Sequence, residues 1–458
     1  MDHERLIYPV VQLPLAMVQE GRNGAIIGPF FRGGAMWLGF LVPVVVGTFI
    51  GLHRYYPFVP TIDLILPLPL FNARLSFATI GFFYLIQREV AFGLWAFTLL
   101  NNLQAYIYAE VGWGIEESPA VSVWSYGLSS LVHQGMGAMV ILLLGGLWLA
   151  RDHLYVVWRK AFNRAPEYDD GDEILSYRAA FWGFWGSVAV FVAWLVEIGI
   201  PLHGALVFTF FSFVVWIGLS RVIAEGGVAV IYAPLVAADA TVSYLGSRLL
   251  GPSGMVGTAF ARVLGNDQLN FVMPHVANGL KLGEQVVAGS RPVRRRLFWA
   301  MLAATLLGTG GAIWEALNLA YIHGAVNLWP VIFVKLPGWI FGFATPLISD
   351  PIGADLRGWF HTGIGAAVMG LLMLARRIWV WWPLHPVGFP ISATFSWMAF
   401  NAFLAWAVKG PVLRYGGARL YAATRPFFLG MIMGQFVIFG IFWIVDTLTG
   451  MVGNRLFL

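Results

Sequence analysis

Long apolar segments interrupted by charged side chains constrain this chain more than any other feature. The segment Ser220–Tyr232 (SRVIAEGGVAVIY) continues directly from the apolar run Ala205–Leu219 and contains Arg221 and Glu225. Ionised side chains are costly in hydrocarbon, and in membrane proteins they usually face a bundle interior or a water-filled cavity. The pattern therefore predicts a polytopic membrane protein with a polar path through it, and it favours transport.

The composition agrees with residence in a membrane. Hydrophobic residues make up 59% of the 458 positions and charged residues 11%, whereas a soluble domain carries about 25% charged residues. Several apolar runs reach the roughly 20 residues that a helix needs to cross a bilayer. We therefore expect an all-α integral membrane helix bundle with about ten membrane segments. The lipid bilayer would be its surroundings, and the expected location is a bacterial inner (cytoplasmic) membrane.

Basic residues cluster in loops, which is typical of cytoplasmic loops and not of a nucleic-acid-binding surface. The topology is ambiguous around Pro390–Val408 because basic residues flank this segment on both sides. Arg376 and Arg377 precede it, and Lys409 and Arg414 follow it. Either the segment is re-entrant or one basic cluster faces the opposite side of the membrane.

The pattern along the chain predicts four parts. They are an interfacial or broken amino-terminal segment (1–34), a first helical group (35–150), a soluble loop (151–176), and a second helical group (177–458) that includes a polar-striped helix (267–285).

One segment of the first helical group is interrupted. Phe77–Tyr108 is apolar but is cut by Gln87, Arg88 and Glu89, which predicts a short helix followed by a second one.

The polar-striped helix has the strongest local pattern. Its polar residues recur at intervals of three or four, which places them along one side of a helix. Two interpretations remain open, namely the wall of a water-filled path with a central proline and an amphipathic helix on the membrane surface. The stripe consists of Asp267, Asn270, Pro274, Asn278, Lys281 and Gln285, with His275 at its edge.

Arg221 and Glu225 are one helical turn apart and give a second candidate site. Glu225 in an apolar site would be a proton-responsive carboxylate. Alternatively, the two residues form an internal ion pair that only fixes helix packing. For Arg221 the structural interpretation is favoured, whereas both interpretations remain open for Glu225.

The sequence gives no pattern for an enzyme or a bound cofactor. The nine histidines are scattered without a metal-ligand spacing, and His361, at the start of an apolar run, is expected at a membrane interface. There is no phosphate-binding loop with a lysine and no nucleophile motif. The chain contains no cysteine, so disulfides and thiol chemistry are excluded. We therefore expect no metal, no cofactor and no catalytic residue.

Three stretches resemble the oligopeptide transporter (OPT) superfamily, specifically its uncharacterised bacterial relatives. The stretches range over roughly half the chain: Ser220–Ile231 (SRVIAEGGVAVI), Asn278–Ile313 (NGLKLGEQVVAGSRPVRRRLFWAMLAATLLGTGGAI), and Trp381–Trp443, which contains a Tyr-Gly-Gly sequence between two apolar runs. The resemblance implies an all-helical transporter fold with internal repeats and proton-coupled uptake of small peptides or metal chelates.

The opening sequence HERLIYPVVQLPLAM is similar to a segment that lies well inside the chains of such proteins. If the amino-terminal part of the family pattern is missing, the alternatives are a truncated product, a gene fragment, or one half of a split transporter whose partner chain supplies the amino-terminal helices. The leading hypothesis is a secondary transporter, or half of one, for small peptides or similar polar solutes. The alternative is a non-transporting membrane scaffold or assembly subunit derived from a transporter fold.

Overall fold

The structure is a computed structural model that is almost entirely helical. In hydrocarbon, a helix satisfies its backbone hydrogen bonds within one segment, which is why apolar runs of this length become helices. The model describes residues 8–18, 28–68, 71–113, 127–162, 170, 173–228, 231–262, 264, 272–286, 291–328, 331–379 and 381–451.

Sixteen α-helices follow one another along the described part of the chain. In the first part of the chain they are α1 (Gln12–Val18), α2 (Pro29–Arg32), α3 (Gly34–Tyr55), α4 (Phe77–Leu85), α5 (Arg88–Val111), α6 (Ser129–Leu149), α7 (Arg151–Ala161), α8 (Tyr177–Glu197) and α9 (Leu202–Gly226). In the second part they are α10 (Ala237–Leu245), α11 (Ser247–Ala261), α12 (Met273–Val286), α13 (Arg291–His323), α14 (Leu336–Ser349), α15 (Leu356–Ile378) and α16 (Ser396–Thr449).

Among the described residues, 7 helices are long and apolar enough to cross a membrane. By length and composition they identify a helical membrane protein, as the sequence predicts. The last of them, α16, has 54 residues and contains a break at Gly417, whose φ of 57° is left-handed. The candidate spans are α3, α6, α8, α9, Arg295–His323 in α13, α15 and α16.

A short hairpin is the exception to the all-α prediction. Strand β1 (Ile65–Leu68) pairs antiparallel with β2 (Phe71–Arg74), in a register that places Ile65 opposite Arg74. Part of the predicted soluble loop 151–176 is also regular, because α7 occupies Arg151–Ala161. Its apolar residues recur at three- and four-residue intervals, which favours an amphipathic helix.

The chain forms two compact units, and both are discontinuous in sequence. This division differs from the four sequential parts predicted above because helices that are far apart in sequence pack together. Unit 1 comprises Met1–Val111, Arg221–Ile231 and Leu371–Leu458, and unit 2 comprises Gly112–Ser220 and Tyr232–Gly370.

Unit 1 is centred on the crossing of α3 and α16. A side chain at Gly39 would collide with the backbone of Phe427, and one at Gly430 would collide with the backbone of Met36. Glycines on both helices therefore allow their backbones to touch, as is common where helices associate in membranes.

Unit 2 contains a similar crossing between α6 and α15. Gly137 packs against the backbone of Thr362, and Gly365 packs against the backbone of Gln134. At the edge of this unit, Asp170 accepts hydrogen bonds from Lys160 of α7 and from the first backbone N–H of α8. These hydrogen bonds hold the pKa of Asp170 below its ordinary value.

Candidate functional site

A break between α4 and α5 is the main irregularity in unit 1. The chain leaves the helix at Ile86, which is extended, and a new helix begins at Arg88. The interruption at Gln87–Glu89 that the sequence predicted is thus confirmed. The last carbonyls of a helix lack partners within the helix and carry its negative dipole end.

Lys409 of α16 occupies the end of α4. Its ammonium group donates hydrogen bonds to the carbonyl oxygens of Tyr84, at 2.9 Å, and of Ile86, and it lies 4.6 Å from the ring centre of Tyr421. Lys409 is 5% exposed. It is therefore a buried cation within a helix, and not part of the flanking basic loop that made the topology ambiguous.

A cavity opens beside the first turn of α5. Its volume is about 290 Å³, and both charged residues of this turn, Arg88 and Glu89, line it. The remaining lining residues are Phe92, Trp381, Trp382, Pro383 and Trp406. The Arg88 guanidinium lies 5.3 Å from the ring centre of Trp406, which is within the range of a cation–π interaction.

Trp382 adds an unused donor to the cavity wall. Its indole nitrogen is buried and has no hydrogen-bond partner among the described residues. A buried polar group without a partner is uncommon and is often completed by a water or a ligand. The cavity is thus lined by aromatic rings, one carboxylate and one guanidinium, and the indole N–H of the lining residue Trp382 is buried without a partner.

The Arg221–Glu225 pair forms in unit 1, as the sequence predicts. The guanidinium and the carboxylate are 3.1 Å apart at the carboxyl end of α9. Helix α9 ends at Gly226, and Gly227 follows with φ of 57°. A side chain at Gly227 would collide with Pro9 and Ile86, so this helix end lies beside the break between α4 and α5.

Electrostatic interactions connect the Arg221–Glu225 pair with Glu89, which lines the cavity. Arg376 of α15 interacts electrostatically with both Glu225 and Glu89, and Lys409 also interacts with Glu89. We call these residues the unit 1 charged cluster; it consists of Arg88, Glu89, Arg221, Glu225, Arg376 and Lys409. Four cationic groups accompany two carboxylates, so the cluster favours an anionic or zwitterionic ligand.

The predicted polar stripe is seen only in part. Asp267 and Asn270 lie outside the described residues. Helix α12 carries the rest of the stripe in unit 2, whereas Arg221 and Glu225 belong to unit 1. Pro274 is the second residue of α12, where a missing N–H breaks no helical hydrogen bond. It is therefore not the central kink that the path interpretation used.

The stripe residues of α12 make local contacts. Lys281 pairs with Glu284 at 2.9 Å, and the Asn278 amide donates to the carbonyl of Pro274. His275 and Gln285 are exposed. Helix α12 contacts α13 through glycines, because Gly279 faces Met301 and Gly283 faces Leu297.

Unit 2 has a buried polar cluster that sequence reasoning missed. His133 is completely buried, and His361 is 9% exposed. Both face the crossing of α6 and α15, where Gln134 and His361 are 3.4 Å apart. The only sequence signal for such a cluster was that each histidine lies near the start of an apolar run.

These features define a class: a polytopic helical membrane protein with an interrupted helix and buried charged side chains. The chain belongs to a family that is described as a family of unknown function (DUF6785), whose model matches residues 1–458. No curated protein and no solved structure matches the chain.

Proposed function

We propose that this protein is a secondary transporter, driven by an ion gradient, for small peptides or similar polar solutes. The bundle would have an OPT-like fold of about ten segments in the bacterial inner membrane. The observation that supports this proposal best is the helix break in unit 1 with its charged, aromatic cavity. Broken helices at membrane depth expose backbone groups, and they persist where they are buried in protein or line a watery path.

The cavity suits a small solute with both charged and apolar parts. Arg88 and the Trp382 N–H would bind a carboxylate of the solute, and Glu89 would bind its ammonium group. The rings of Trp381 and Trp406 would pack against its apolar part. The excess of positive charge in the unit 1 charged cluster favours solutes with at least one carboxylate.

Glu225 is the candidate through which the cluster responds to the solute. Its partners Arg221 and Arg376 neutralise it. Because Arg376 also interacts with Glu89, which lines the cavity, a charged solute bound at Glu89 would change the balance of charge at Glu225. In unit 2, Lys281 on α12 is proposed from the sequence as a candidate residue of a substrate or ion path, together with Asp267, Asn270, His275, Asn278 and Gln285.

Uptake by purified variants in proteoliposomes tests the site. Arg88→Gln and Glu225→Gln should each reduce uptake of a di- to tetrapeptide panel by about tenfold or more, because each removes a charge–charge contact of a few kcal/mol. Lys281→Gln tests the contribution of α12 in the same assay. The matched control is Arg248→Gln, since Arg248 is exposed and lies outside the cavity.

Normal uptake by both Arg88→Gln and Glu225→Gln would contradict the proposed site. Circular dichroism and gel filtration of each variant would confirm that a loss of uptake does not reflect misfolding.

A scaffold or assembly subunit is the second candidate function. One observation favours it, namely that two candidate spans are hardly covered by the rest of the protein. In the most apolar stretch of each span, 0% of the residues are buried in α13 and 6% are buried in α8. Both helices carry exposed tryptophans, including Trp182, Trp185 and Trp314. Stoichiometric co-purification with a membrane complex, together with absence of uptake, would support this candidate.

A further inference from the structure

The buried cluster in unit 2 is built around the imidazole of His133. Its Nδ1 lies 3.2 Å from the hydroxyl of Tyr244, and its Nε2 lies 3.2 Å from the hydroxyl of Ser243. The carboxylate of Asp355 is 3.9 Å from Nε2. Both ring nitrogens of His133 therefore face a group that can donate or accept a hydrogen bond.

The chain of hydroxyl groups indicates which ring nitrogen carries the proton. Thr362 donates to the carbonyl of Gly358 at 2.8 Å, so its oxygen accepts the proton of the Tyr244 hydroxyl. The Tyr244 oxygen is then left as an acceptor for His133. Neutral His133 thus carries its proton on Nδ1, and its Nε2 accepts from Ser243.

A second proton can therefore bind only at Nε2, on the side of Asp355. Burial of the His133 ring opposes its positive form, the carboxylate of Asp355 favours that form, and His361 opposes it when charged. The Asp355 side chain is 16% exposed, whereas that of His133 is fully buried. Asp355 is therefore the group through which a proton would reach the ring.

The backbone holds this geometry in place. Asp355 caps α15 by accepting from the N–H of Gly358 at 2.9 Å, and its own N–H donates to the carbonyl of Ser243 at 2.8 Å. A Cβ at position 358 would lie 2.8 Å from the ring of His133. Glycine at this position lets the imidazole approach the first turn of α15.

We propose that His133, with Asp355 and His361, forms the proton-binding site that couples this protein to a proton gradient. The inference rests on the transport function proposed above and assigns the residues that bind the coupling proton. A proton from the aqueous phase binds Nε2 of His133, the resulting imidazolium pairs with the Asp355 carboxylate, and the same proton leaves on release. Intramembrane histidines and carboxylates serve as proton relays in many transporters.

Two transport assays separate coupling from solute binding. Accumulation under an inward proton gradient needs the coupling site, whereas exchange of labelled for unlabelled solute at equal pH does not. His133→Gln and Asp355→Asn should lose about tenfold or more of the gradient-driven accumulation while they keep exchange. Asparagine caps a helix as well as aspartate does, so Asp355→Asn removes the charge and keeps the cap.

The matched control is Thr258→Val in the same unit. Thr258 is completely buried, but its hydroxyl donates only within its own helix, to Gly254. This variant should keep both accumulation and exchange. Gradient-driven accumulation at the wild-type level in His133→Gln would overturn the proposal, whereas absence of both activities in the wild type would overturn the transport function itself.

NMR of protein with isotope-labelled histidine tests the site without transport. The resonance that disappears in His133→Gln should show the Nδ1–H form at neutral pH and become doubly protonated as the pH falls. Asp355→Asn should shift this transition to lower pH because the positive ring loses its counter-charge. An Nε2–H form, or no protonation while the protein stays folded, would overturn the proposal.

Discussion

At the scale of residues, contacts within one helix were predictable and contacts between helices were not. The spacing of Arg221 and Glu225 alone predicts their ion pair, since residues four apart share a helix face. Lys409 and its acceptor Tyr84 are separated by 325 positions, and His133 and Tyr244 by 111. No local sequence pattern predicts such pairs, because they form only when helices that are distant in sequence pack together.

Lys409 gives a direct test at this scale. Lys409→Met keeps most of the side-chain volume but leaves the carbonyls of Tyr84 and Ile86 without their donor. Hydrogen bonds made by a charged group contribute about 1.5–3 kcal/mol each, so the variant should melt at a clearly lower temperature. Lys335→Met is the control because Lys335 is exposed. Equal melting temperatures of Lys409→Met and wild type in detergent would contradict the role given to Lys409.

At the scale of elements, hydropathy predicts which segments become helices, because a membrane span must satisfy its own backbone. Hydropathy does not predict where a polar helix lies. The stripe on α12 is visible in the sequence, but its contacts with Met301 and Leu297 on α13 depend on glycines that the pattern did not single out. The hairpin β1–β2 was also missed, because its strands contain too few residues for a clear alternation.

The crossing of α3 and α16 allows a matched comparison on one helix. Gly430→Ala places a Cβ against the backbone of Met36, whereas Gly440→Ala places one in open space. Alanine is otherwise better than glycine in a helix by up to about 1 kcal/mol. Gly430→Ala should therefore lower the melting temperature, and Gly440→Ala should leave it unchanged or raise it. A similar response of the two variants would show that the close crossing does not stabilise unit 1.

At the scale of the whole molecule, the sequence predicts membrane residence and the interruption of an apolar segment at Gln87–Glu89, but not the two discontinuous units. The composition of a chain predicts whether it resides in a membrane or in water. The division into units depends on which helices, distant from each other in sequence, pack together. The cavity of unit 1 and the buried histidines of unit 2 are two of the places where polar groups interrupt the apolar packing of the described residues. In the proposed transporter, the first would bind the solute and the second would bind the proton.

The most direct test of this account is uptake by the purified wild-type chain in proteoliposomes, measured with and without an inward proton gradient. The solutes are a panel of di- to tetrapeptides and metal chelates. The account predicts that at least one carboxylate-bearing solute accumulates above its external concentration only when the gradient is present. A well-folded preparation that accumulates none of the panel under either condition would contradict it.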